Sequence, residues 1–312
     1  MSSTVLQADG VLKTFSGVRA LDHVSFAVGP GEVHALVGGS GAGKSTLVKV
    51  LSGVYRPDRG ELRVGGERVR FGSPAEARRA GIATVHQEGN LVPLMSVARN
   101  LFLGREPRGR FGLIDFARLH AEADQIVRSY GMPLDVRRPL GSLSPGTRQL
   151  VAMARAAWAD ARVVIMDEPT SALEPGEMET LFRAVARLRA QGRSIIYVSH
   201  RLEELYRVCD TVTVLHEGKV VHTGGLAGLD RVRLVSLMLG RPLHQHRPLP
   251  EEPGPAVLPL LEATGPTRQN VRPDVSSALH EGQVPGLGGL LGARRGETAR
   301  AMPVVGMPLL RK

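Results

Sequence analysis

The stretch VHALVGGSGAGKST, residues 33–46, constrains this chain more than any other. The apolar run over 33–37 predicts a buried strand. A glycine-rich loop follows, then apolar positions at helical spacing at Leu47, Val48, Val50 and Leu51. The loop fits G-x-x-x-x-G-K-[ST] through Gly38, Gly43, Lys44 and Ser45. Glycines let backbone N–H groups turn inward and approach phosphate oxygens closely. A helix starting near Lys44 points its positive end at the same anion. Lys44 brings a point charge to the β- and γ-phosphates, and the Ser45 hydroxyl suits Mg²⁺. A chance glycine-rich turn would not need a buried strand before it and an apolar helix after it. The stretch therefore predicts a nucleotide-binding core, and the open question is what the nucleotide drives.

Composition narrows that question. The 312 residues are 42% hydrophobic, enough to bury a core in one large domain or two smaller ones. Cys209 is the single cysteine, so no internal disulfide forms, and a buried small apolar residue is its expected role. The first ten residues carry neither a basic region nor an apolar run, and no apolar stretch reaches the ~20 residues a membrane-spanning helix needs. A cytosolic chain is expected. Net charge is +10, but only Lys13, Lys44, Lys49, Lys219 and Lys312 are lysines among 40 basic residues. The arginines are spread throughout and aromatics are 4% of the chain, so no basic stripe interleaved with aromatics points to nucleic acid. Arginine used throughout the chain accounts for the charge, which is also compatible with an anionic inner membrane leaflet.

Along the chain, residues 4–37 alternate like antiparallel strands with turns at Ser16-Gly17 and Gly29-Pro30-Gly31. Phe15 lies 29 positions before Lys44 and suits either a strand core or stacking on a base. A hairpin is expected over 60–71, a short basic helix over 75–80, and a strand over 82–85 ending in His86-Gln87-Glu88. Gln87 at that strand end suits either a polar cap or a ligand to Mg²⁺ and the attacking water. Residues 91–130 turn helical and alanine-rich, which predicts an inserted helical subdomain over about 91–145. Ser144 and Gly146 then open a long helix, as an ordinary N-cap or as an anion-holding N-terminus.

VVIMDE, residues 163–168, reads as a buried parallel strand with two carboxylates at its tip. Asp167 suits Mg²⁺ through its water shell, and Glu168 suits a general base. Another apolar strand, 194–198, ends in Ser199-His200, where His200 could hydrogen-bond a γ-phosphate. A last hairpin turns over Glu217-Gly218, and prolines from Pro242 to Pro259 mark a linker over 241–259.

Together these residues resemble the ATP-binding-cassette ATPases over residues 4–240. Residues 38–46 (Gly38, Gly39, Ser40, Gly41, Ala42, Gly43, Lys44, Ser45, Thr46) take the place of the Walker A loop. Gln87 takes that of the Q-loop glutamine, LSPGT (143–147) the signature motif, and VVIMDE the Walker B strand. SALE (171–174) falls on the D-loop, His200 on the switch histidine, and Phe15 on the adenine-stacking position. The wording of KVLSGVYRPDRGEL, NLFLGRE, IMDEPTSALEP and SIIYVSHRLEEL is similar to bacterial monosaccharide importers of the ribose, xylose and galactoside type. Thr147 departs from the usual signature glutamine, Glu174 from a common Asp, and Gly39 and Gly89 from bulkier residues.

That resemblance implies an α/β P-loop core with an antiparallel side sheet and an inserted helical subdomain. It implies ATP and Mg²⁺ as cofactors, with the metal at Ser45, Gln87 and Asp167. Glu168, His200, Lys44 and Gln87 would serve catalysis. Ser144 and Gly146 would complete a second cassette's site across an interface. The implied partners are membrane permease subunits, and through them a periplasmic or extracellular sugar-binding protein, at the cytoplasmic face of the inner membrane. Family importers carry two cassettes in tandem, and the tail repeats the first at an offset of 251 residues, from Val24 to Val275. Arg294, Arg295 and Gly296 stand opposite Gly43, Lys44 and Ser45, so 260–312 reads as a degenerate, truncated second cassette and pairing as an ATP-dependent homodimer. A soluble cassette ATPase outside transport, or a remnant that binds ATP without turnover, are the alternatives.

Overall fold

The computed structural model describes residues 4–85, 91–158, 161–171, 173–242, 259–263, 277–281 and 286. They fall in two units, Met1–Leu243 and His244–Lys312.

The first unit is built on a parallel sheet. Its strands are β3 (Val33–Gly38), β6 (Ile82–Val85), β7 (Val163–Asp167), β8 (Ser194–Val198) and β9 (Thr211–His216), with β10 (Lys219–Gly225) antiparallel at one edge. The order is β10-β9-β3-β8-β7-β6. β3, the strand before the glycine-rich loop, therefore lies between β8 and β9. Every residue of β3 and of β8 is buried, because these strands are covered on both faces.

Successive side chains of a strand point to opposite faces. Val33, Ala35, Val37, Val164, Met166, Ile195 and Tyr197 enter one core. Leu36, Val163, Ile165, Ile196 and Val198 enter the other. The first face carries α3 (Val97–Leu101), α4 (Phe116–Ser129), α5 (Pro145–Trp158) and α6 (Pro175–Ala190). The second carries α1 (Lys44–Leu51) and a second sheet. That sheet is antiparallel, in the order β2-β1-β4-β5, from β1 (Leu6–Phe15), β2 (Val18–Val28), β4 (Arg59–Val64) and β5 (Glu67–Val69). The expected hairpins over 4–28 and 60–71 thus share one sheet. The third expected strand leaves it: β3 is buried on both sides and joins the parallel sheet instead.

The inserted segment is less helical than its periodicity predicts. Between α3 and α4 the chain forms a tight turn closed by a bridge between Arg108 and Ile114. α2 (Pro74–Arg79) matches the short basic helix expected there. Two short helices were not anticipated: α7 (Leu202–Val208) and α8 (Arg231–Leu239), the latter ending on Gly240 at φ +66°. No helix among the described residues is long and apolar enough to cross a membrane.

In the second unit, β11 (Leu261–Ala263) pairs antiparallel with β12 (Ser277–Leu279), Leu261 opposite Leu279 and Ala263 opposite Ser277. The first unit pairs Leu6 with Val28 and Ala8 with Phe26. Val28 and Leu279 are 251 residues apart, the offset read from the sequence, whereas Leu-Gln-Ala at β1 and Leu-Glu-Ala at β11 are 255 apart. The prolines of the expected linker lie outside the described residues, apart from Pro242 and Pro259.

Candidate functional site

Four strand tips converge at one end of the parallel sheet. Gly38 pairs with Leu215 of β9, Leu36 with Val198 of β8, and Asp167 with Val198 from the other side. The register brings the glycine-rich loop, Asp167-Glu168 and Ser199-His200 to the same edge, although residues 38 and 200 are 162 positions apart. Carboxyl ends of parallel strands form a crevice that no side chain of the sheet fills.

The loop is held by its neighbours rather than by its own sequence alone. A Cβ at Gly43 would lie 2.6 Å from the Ala20 carbonyl, and one at Gly38 would collide with the Leu215 carbonyl. At both positions the need for glycine comes from packing as well as from left-handed φ, +103° at Gly43 and +155° at Gly38. Only Gly41, at φ +75° with open space around it, is left free on the ligand side. The Ala42 carbonyl accepts from the Gly218 amide at 3.1 Å, so the β9–β10 turn buttresses the loop. Gly39 lies beside the Met238 carbonyl of α8. Ser40 and Ser45 are exposed, and Thr46 is half-buried.

Lys44 folds back over the loop, its Nζ donating to the Gly38 and Gly39 carbonyls at 2.8 Å each. Burial pushes its ammonium below the ordinary value, while the Glu168 and Asp167 carboxylates pull it back up. Loop lysine and strand-tip acids thus share one electrostatic neighbourhood. The carboxylates of Asp167 and Glu168 and the Ser45 hydroxyl are hard oxygen donors of the kind Mg²⁺ takes beside a phosphate chain.

Glu168 stands in the left-handed region at φ +49°, unusual for a non-glycine residue. Such a conformation costs on the order of 1–3 kcal/mol and needs surrounding structure to hold it. Its amide donates to the Val198 carbonyl at 2.9 Å. Its Oε2 lies 2.9 Å from Nδ1 of His200. The two residues expected to share the chemistry are therefore in contact, with the histidine open to solvent.

Sequence reasoning missed Glu204. It lies on α7, only 5% exposed. Its Oε2 accepts from the hydroxyls of Thr170 (2.8 Å), Tyr197 (3.1 Å) and Ser199 (3.2 Å). Oε1 meets Arg201 at 3.4 Å. One buried carboxylate therefore ties the chain just after Glu168 to the chain just before His200. Burial and the Glu204 charge push the Tyr197 phenol well above its ordinary range, so it stays a donor. The signal in sequence was helical phase: in LEEL, Glu204 beside Leu205 faces inward and Glu203 outward.

The remaining predicted residues that the structure describes sit on other elements. Phe15, 39% exposed at the end of β1, packs edge-on against Tyr55 at 5.1 Å, with Lys13 Nζ 5.3 Å from its ring centre. Ser144 caps α5, its Oγ accepting from the Thr147 amide at 3.0 Å, and Gly146 is buried. Gln87 and Ala172 lie outside the described residues. Burial raises the Cys209 thiol above its ordinary value, as suits a packed, unreactive cysteine.

Residues 21–171, which span this loop, the subdomain and the acidic strand tip, match the ABC transporter family. The chain carries an ABC transporter domain with the fold of an ATP-binding cassette. The cassette is 26% identical to a solved ATP-binding cassette of an ABC transporter, with a TM-score of 0.67 over 76% of this chain and 98% of that one. Among curated relatives, a ribose import ATP-binding protein RbsA of Rubrobacter xylanophilus is 48% identical over 96% of this chain. One from Jannaschia is 45% identical over the same share. The chain spans 57% of the length of either relative.

Proposed function

We propose that the cassette binds ATP on residues 38–46 and hydrolyses it as the ATP-binding subunit of a monosaccharide importer. The observation that carries the chemistry is the Glu168–His200 contact beside Lys44. Lys44 would exchange its two loop carbonyls for β- and γ-phosphate oxygens. Phe15, partly exposed at the end of β1, would offer its face to the adenine. Ser45 and Asp167, with Gln87, would hold Mg²⁺. That ion, when bound, neutralises developing charge on the phosphates. Glu168 Oε2 would take a proton from the attacking water. His200, fixed by that same carboxylate, would turn its other ring nitrogen to the γ-phosphate.

Ser144 and Gly146 would meet the γ-phosphate of a second cassette, in the simplest case another copy of this chain. Import of a monosaccharide rests on the relatives, which are named for ribose import. The permease, the sugar-binding protein and a place at the cytoplasmic membrane face belong to the same proposal. A second cassette beyond residue 260 is supported by the 251-residue offset and by the antiparallel β11–β12 pairing.

Phosphate release with Glu168→Gln tests the chemistry. The variant should keep ATP binding and lose about 10²–10⁴-fold in turnover, the usual worth of a general base. Turnover at the unsubstituted rate would remove Glu168 from its role. Co-purification with a permease encoded beside the gene tests the transport half.

A further inference from the structure

Glu177, near the start of α6, makes contacts no helix cap requires. Its Oε1 accepts from Ser144 Oγ at 2.9 Å and from Thr147 Oγ1 at 3.1 Å. Its Oε2 lies so close to Gly146 that any Cβ there would overlap it. The same oxygen accepts from the Glu174 amide at 3.1 Å, the ordinary capping contact of α6. The carboxylate thus fills the turn at residues 144–147 with a negative oxygen, held by two hydroxyls and let in by a glycine. Ser144 and Gly146 are the groups the proposed function assigns to an incoming γ-phosphate. Thr147, which stands where the family carries glutamine, supplies one of the two hydroxyls.

We propose that Glu177 is an internal latch that occupies this turn in place of phosphate and must leave before a second cassette's nucleotide can bind there. The inference rests on the composite-site reading above. Its physical basis is exclusion: two anions cannot share one pair of hydroxyl donors, and their charges repel at contact distance. Swinging Glu177 out costs its charge-assisted hydrogen bonds, so nucleotide-driven pairing is weakened by that amount. The latch also links α6, which directly follows the acidic strand tip and its loop, to the opening of α5.

Sedimentation of the full chain in Glu168→Gln form, titrated with Mg-ATP, measures the pairing. Adding Glu177→Gln should lower the ATP concentration for half-maximal pairing by about tenfold, roughly the worth of one charge-assisted hydrogen bond. Thr147→Val leaves the cap on the Glu174 amide intact and removes one latch contact. It should shift the midpoint the same way by a smaller factor. If the Glu168→Gln chain pairs but neither addition lowers the midpoint, the latch is wrong and the composite site stands. A loss of melting temperature with unchanged or weaker pairing means that Glu177 is only a cap, and also overturns it. No pairing in any form overturns the composite site and the latch together.

Discussion

The cassette presents two half-sites of opposite construction. The phosphate-loop half is made from tips of buried parallel strands, with Lys44, Asp167-Glu168 and His200 delivered by three segments far apart in sequence. The signature half is made from one short turn at the head of α5, over residues 144–147, and its partner on α6. The first is held by covered strands and by Glu204, and its Glu168 and His200 touch. The second already holds an anion of its own. A half-site fixed by the sheet can be assembled before ligand arrives, whereas one fixed by a helix start can be filled and emptied with little disturbance of the core. Affinity is therefore expected to reside in the first half and control in the second.

The sharpest way to break that division is Lys44→Ala. Removing the ammonium should abolish measurable ATP binding and turnover together, a loss of more than about a hundredfold, since a charged contact in a low-dielectric site is worth several times one in water. Equilibrium binding of a fluorescent ATP analogue would read it. Retained binding would place the affinity elsewhere.

Glu204→Gln should have the next largest effect. One amide oxygen cannot hold three hydroxyls as the carboxylate does, so the Glu168 and His200 segments loosen. Turnover number should fall about tenfold at nearly constant KM for ATP, with about 1–3 kcal/mol of stability lost. A matched fall in binding would show that Glu204 supports the whole fold rather than the position of Glu168 and His200.

The smallest effect concerns the opposite end of β3. Burial pushes the Glu32 carboxyl up. Hydrogen bonds from His34 at 2.8 Å, from Thr211 and from the Gly29 amide outweigh this and hold it at about 2, against an ordinary 4.5. A depressed carboxylate stabilises the fold fully above the ordinary value and loses that contribution as pH falls through the folded one. The stability difference between the unsubstituted chain and Glu32→Gln should therefore be constant above pH 4.5 and shrink toward pH 2. Urea midpoints across that window measure it. A difference independent of pH would mean that His34 and Thr211 are held by something other than the Glu32 charge.

The two halves also differed in how much of them the sequence disclosed. Apolar runs that stop at carboxylates or at Ser-His are readable as strand tips, because period and burial leave few alternatives. Thus Lys44, Asp167, Glu168 and His200 are legible as residues of strand tips, and the strand register brings those tips to one edge of the sheet. The interposition of β3 between β8 and β9 was not readable, since strand order depends on crossovers rather than on local pattern. Glu204 escaped because a helix of seven residues gives a weak phase, and one glutamate looks like the next. Glu177 escaped for a different reason: its partners lie 30 to 33 residues earlier, and nothing in either segment announces the pairing.

The placement of β3 carries a consequence for the way this chain is made. β3 finds its hydrogen-bond neighbours only in β8 and β9, which begin at Ser194 and Thr211. A ribosome adding 5–20 residues per second needs roughly 8–30 s to cover that distance. During this interval an apolar segment with both edges open has left the exit tunnel without a sheet to enter. Long-range pairing of this kind is slow and vulnerable to aggregation. The nucleotide loop is thus among the earliest parts of the chain to be synthesised and among the last to be seated. A nascent chain stalled before Ser194 should fail to retain nucleotide and should be a chaperone's client, whereas one stalled well past His216 should not.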